Sequence, residues 1–133
     1  MKLLLAAMIG IFGFMATASA DEHSENVCSS QDQTVCAHVG FHWGVPTTKA
    51  EGKFVFHATP ASGEISDLKI DLWMDMGNGH GHGSAPVALK KMGKNQYAVS
   101  NAYFVMPGAW LIRADFKIGN DSFQLDIPLT IAE

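Results

Sequence analysis

Several stretches of this chain alternate apolar and polar residues with a period of two. Lys53 to Ala58 sets Phe54, Phe56 and Ala58 against Lys53, Val55 and His57. Ser66 to Met76 sets Leu68, Ile70, Leu72, Met74 and Met76 against Asp67, Lys69, Asp71, Trp73 and Asp75. Trp110, Ile112, Ala114, Phe116 and Ile118 oppose Arg113, Asp115 and Lys117, and Phe123, Leu125, Ile127, Leu129 and Ile131 form a last row. Side chains along a strand point alternately to its two faces, so each row predicts a half-buried strand. Gly119-Asn120-Asp121 joins the last two rows, and Gly and Asn accept the backbone a hairpin turn requires. Further turn clusters fall at Pro60 to Gly63, Gly77 to Pro86, Gly93 to Gln96 and Pro107-Gly108. No stretch beyond the first twenty residues keeps a helical period. Short strands between regular turns predict an all-β domain, an immunoglobulin-like antiparallel β-sandwich.

The first residues break this pattern. Lys2 gives a positive start, Leu3 to Met15 is apolar, and Ala18-Ser19-Ala20 has the small-x-small form of a cleavage site. This is the three-part pattern of a secretory signal peptide, and the apolar run is short for a membrane span. The expected organisation is a signal peptide over 1–20, an N-terminal segment over 21–36 and the β-sandwich over 37–133. Cleavage after Ala20 implies a periplasmic or secreted protein with no stable membrane insertion.

Loss of Lys2 with the leader leaves eight Lys and Arg against thirteen Asp and Glu, a formal charge of −5. With no basic stripe to neutralise phosphates, nucleic acid is not an expected partner. An acidic surface is compatible with attracting cations.

Cys28 and Cys36 are the only cysteines. In an exported chain, two cysteines so close in sequence predict one disulfide that ties down a polar N-terminal stretch. The alternative is a thiolate copper site in which Cys36 acts with His38. His38 and His42 share a face if this stretch is a strand, but they then stand roughly 13 Å apart, too far to chelate one ion. His23 falls in a stretch expected to fray, and His57 on a polar strand face.

The densest chemistry lies at Met74-Asp75-Met76-Gly77-Asn78-Gly79-His80-Gly81-His82. Thioether is a soft ligand suited to Cu(I), and imidazole suits copper in either oxidation state as well as zinc and nickel. A site that mixes the two is biased toward copper. Met74 and Met76 are in phase with the core row, so packing competes with ligation for them. Same-face residues two apart are separated by roughly 6.6 Å, and Gly77 lets the strand end bend. His80 and His82 can converge across Gly81. Met106, before Pro107-Gly108, could close the site from a second turn at the same end. The candidate ligands are therefore His80, His82, Met76, Met74 and Met106.

The order of these signals carries a resemblance. The Met74 to Gly83 run with Pro86 after it, Gly93 before Tyr97, and Met106-Pro107-Gly108-Ala109-Trp110 together resemble the YtkA-like domain shared with FixH-type proteins, from about Lys53 to Ile131. The resemblance implies an immunoglobulin-like sandwich and an envelope role in copper handling or cytochrome oxidase maturation. FixH-type members usually keep an N-terminal anchor, whereas this chain reads as cleaved. The Cys28 to Val45 segment has no counterpart in the motif.

No enzyme is expected. The chain has no nucleophile elbow, no phosphate-cradling loop and no Cys between two His ligands as in blue-copper sites. Asp71 and Asp75, flanking Trp73, are ordinary residues for a solvent face. Two readings result. One is a copper carrier or chaperone binding Cu(I), Cu(II) or both, with an envelope protein as recipient. The other is a non-metal β-sandwich interaction module that uses the Gly-His-Gly-His loop or the Trp73 face.

Overall fold

The computed structural model describes residues 22–77 and 81–133, with Asp75 and His82 described in backbone only. The leader expected over 1–20 lies outside the described residues, as does His80. Among the described residues, no helix is long and apolar enough to cross a membrane.

Period-two rows become strands, and the strands become two antiparallel sheets packed as a sandwich. The strands are β1 (Glu22–His23), β2 (Val27–Cys28), β3 (Cys36–Phe41), β4 (Gly52–Thr59), β5 (Ile65–Asp75), β6 (Gly81–Gly83), β7 (Ala88–Gly93), β8 (Gln96–Ala102), β9 (Gly108–Ile118) and β10 (Asp121–Ile131). One sheet runs β1-β3-β4-β8-β7, with β2 also pairing β3; the other runs β10-β9-β5-β6. Phe54, Phe56 and Ala58 from the first sheet and Leu72, Trp110, Ile112, Phe116 and Ile127 from the second are buried together. Phe56 and Phe116 meet across the layers with ring centroids 6.2 Å apart.

The hairpin from β9 to β10 turns at Gly119, φ +60°, and keeps its register from Asp121↔Ile118 to Ile131↔Gly108. Pro128 is tolerated inside β10 because that strand is an edge. In β5 the alternation is interrupted. Its register against β9 shifts between Ser66 and Lys69, where Asp67 has φ +52°. The extra residue lets buried Ile65 join the same core as Ile70 despite their odd spacing. Met76 lies beyond the end of β5 and is 52% exposed, so it does not belong to the core row in which the alternation put it.

Buried Asn95 closes the turn between β7 and β8 and ties it to β4 and to the start of β5 through three hydrogen bonds. Its Oδ1 accepts from Ile65 N at 2.8 Å, its Nδ2 donates to Gly63 O at 3.3 Å, and its own carbonyl accepts from Ala58 N at 3.0 Å. At the N-terminus, Cys28 and Cys36 face each other in register and form a disulfide. There is no free cysteine, so the alternative of a thiolate copper site with His38 falls. The expectation of a frayed His23 is also corrected. β1 pairs with β3 (Glu22↔Phe41, His23↔Gly40), and Ser24 clips the two together, its N donating to Val39 O at 2.9 Å and its Oγ accepting from Val39 N at 2.8 Å.

Candidate metal centre

The Met/His run folds as the end of β5, a loop, and the short edge strand β6. The pairing is Trp73↔Gly83, Met74↔His82 and Asp75↔Gly81, so His82 holds the register position opposite Met74. On its other side Met74 pairs with Trp110 of β9. Glycine is required at position 81 for steric reasons: a Cβ there would fall inside the Trp73 indole, against Cε2, Cζ2 and Nε1. The Arg113 guanidinium also lies over that indole, 5.6 Å from the ring centroid. Ser84 then fastens the end of β6, its N donating to Leu72 O at 3.0 Å and its Oγ to Tyr103 O at 2.6 Å.

Met74 is half-buried and packs against the core. Its Cε lies 3.0 Å from the position a Cβ would take on Gly108, where φ is +131° and glycine is favoured. Met74 thus reaches the turn that carries Met106. Met106 is half-buried, and its carbonyl accepts a 2.9 Å hydrogen bond from Trp110 Nε1. Gly77, φ +84°, makes the bend after Met76 that the sequence called for. Of the five candidate ligands, then, Met74, the backbone of His82 and the Met106 turn come to one end of the sandwich. Met76 is exposed next to them in sequence, and His80 lies outside the described residues. Among the described residues no three His, Cys, Asp or Glu side chains already form a metal-holding group. Thioether sulfurs stand outside that class of ligands.

Asp71 lies 3.6 Å from Lys69 and opposite Arg113. Arg113 itself is paired with Asp126, Nε to Oδ1 at 2.9 Å and Nη2 to Oδ2 at 3.2 Å. This face of the second sheet is a solvated ion-pair lattice.

A second group of side chains was not legible from local spacing. His38 and His57 are direct cross-strand partners on β3 and β4, with ring centroids 5.0 Å apart. His23 lies 5.7 Å from His38 and 6.4 Å from His42, centroid to centroid. His42 lies past the end of β3 rather than along it, because the chain turns there with Gly44 N donating to Phe41 O at 3.1 Å. The His38 imidazole is held below the ordinary histidine pKa, first by burial and then by the charges of His57 and His23.

No family model, curated protein or solved structure matches this chain. The functional reading therefore rests on the residues and their geometry.

Proposed function

We propose that this protein is an exported copper-binding carrier whose cargo site is the strand end built from Met74, Met76, His82 and the Met106 turn, with His80 contributed by the loop. The observation that carries the reading is the register of β6: His82 stands opposite Met74, and Met74 reaches Gly108 in the turn of Met106. Two sequence-distant thioether residues and an imidazole residue thus share one end of the sandwich. That donor chemistry fits Cu(I), with imidazole also able to serve Cu(II). The likeness to the YtkA-like pattern points the same way. Transfer to a recipient envelope protein suits a site at the rim of a rigid scaffold, where Met76 is exposed to an incoming partner. A non-metal interaction module that uses the Trp73 face has less support, because that half-buried ring is already contacted by Arg113 and the β6 backbone.

The test is competition titration of the purified mature protein with Cu(I) and Cu(II) against chelators of graded strength. About one Cu(I) per chain is expected, the count the single Met/His cluster supplies. His80→Ala with His82→Ala should abolish or weaken binding while leaving the fold nearly intact. Met76→Ala should lose Cu(I) preferentially over Cu(II), since thioether favours the softer ion. If the double histidine variant binds Cu(I) like wild type, the loop is not the site, and the interaction-module reading replaces this one.

A further inference from the structure

On the outer face of the sheet that contains β3 and β4, we infer that His23, His38 and His57, with His42 at the rim, form a second, imidazole-only site for a divalent first-row transition ion. Four of the six histidines in the chain line one shallow cavity of about 160 Å³, together with Gly40, Val55 and Gln96. They come from three strands and a turn, so the sheet's register collects them. The site belongs to a different sheet from the Met/His strand end and stands independently of it.

As placed, no three of these rings form a metal-holding group, but His38 stands between His57 and His23 at ring separations that one ion can bridge after rotation of the rings. Imidazole nitrogen binds zinc at about 2.0–2.1 Å, so two rings on one ion have centroids roughly 4.5–6.3 Å apart, depending on the ligand angle. The His38–His57 and His23–His38 separations, 5.0 and 5.7 Å, lie inside that window, whereas His23–His42 at 6.4 Å lies outside it, which leaves His42 at the rim. Gly40 forms the floor. A Cβ built there would lie 3.2 Å from His23 Nδ1 and 3.4 Å from His42 Nε2, so ring nitrogens from two separate segments already overhang one Cα. The rings meet edge to face, 77° for His23–His38 and 61° for His38–His57. Rotation about χ2, a broad and soft torsion in histidine, turns their nitrogens toward a common centre. The strand positions are held by the His38↔His57 pairing and the Ser24–Val39 clip. The cavity lining carries no lysine or arginine to repel a cation. With imidazole and no sulfur, the site takes Zn(II), Cu(II) or Ni(II) and does not select Cu(I).

Zn(II) alone is the probe. If the leader is cleaved after Ala20, the new terminus Asp21-Glu22-His23 can wrap Cu(II) or Ni(II) in a square plane through its amine, backbone nitrogens and imidazole. Zinc does not support that mode. Calorimetric zinc titration of the full mature chain should show about one ion bound, with ¹⁵N-histidine spectra showing shifts at His23, His38 and His57. His38→Asn with His57→Asn should weaken zinc by more than about tenfold, since removing a ligand costs at least what removing its supporting shell does. Thermal melts should confirm that this variant folds, and His23→Asn alone provides a second, milder variant. His80→Ala with His82→Ala should leave zinc binding unchanged, which separates this site from the copper site. Zinc affinity unaltered by the His38/His57 pair, or lost equally in the His80/His82 pair, would overturn the proposal. So would the absence of histidine shifts on saturation with zinc.

Discussion

Gly81→Ala tests whether the Met/His loop is held by shape rather than by chance. The added methyl would sit within the Trp73 indole, so something has to move. If the indole moves, it leaves the Arg113 guanidinium, a contact worth about 0.5–1 kcal/mol at an exposed site. It also takes on the strain of an overpacked position, about 1–3 kcal/mol. If β6 moves instead, it gives up only three residue pairs and the Ser84–Leu72 hydrogen bond. The cheaper route is taken, so the expected cost is about 1–3 kcal/mol. The same substitution in a Trp73→Ala background meets no ring. There alanine should be neutral or better than glycine by up to about 0.5–1 kcal/mol, because it has less backbone entropy to lose. The coupling between the two positions is then about 1–4 kcal/mol. Urea unfolding of the four proteins, followed by far-UV circular dichroism because Trp73 itself is removed, gives the global term. Hydrogen exchange at the Ser84 amide gives the local term if only β6 detaches. Gly81→Ala costing the same with and without Trp73, with Ser84 protection unchanged, would refute the packing argument. Where Cu(I) binding depends on the position of His82, Gly81→Ala should weaken it as well.

Asn95→Ala should destabilise by roughly 2–4 kcal/mol in denaturant unfolding, combining an orphaned Ile65 N–H with the left-handed backbone at φ +59°. Asn95→Gly should cost about 1 kcal/mol less, because it keeps that backbone at ease. Replacing both Cys28 and Cys36 by Ser should cost roughly 2.5 kcal/mol, the denatured-state entropy of so short a loop; an unchanged melt would exclude a structural role for the bond. In metal-free protein, NMR titration should find His38 below the ordinary histidine pKa, from burial and then from His57 and His23. The unfolded chain then binds the proton first as pH falls. His38's contribution to stability is therefore complete above the unfolded histidine pKa of about 6.5 and is lost as pH falls through the lower folded value. Stability independent of pH across that window would contradict this.

Much of the fold was legible in the sequence. The rows through Phe54, Leu72, Ile112 and Ile127 named the inward faces, because a strand's side chains alternate whatever its partners are. Gly119-Asn120 marked the hairpin, and two nearby cysteines behind a leader-like start marked the disulfide. What only the tertiary structure decided is adjacency. Period two says which face a residue is on but not which strand lies beside it or at what offset, and a shift of one residue would change every cross-strand neighbour. Register alone puts His57 beside His38, His23 over Gly40 and His82 opposite Met74. The bulge at Asp67, which brings Ile65 into the core, and the turn after Phe41, which moves His42 off its strand, are likewise local departures from regularity. They are stable only because the packed sheets around them have nowhere else to place those residues.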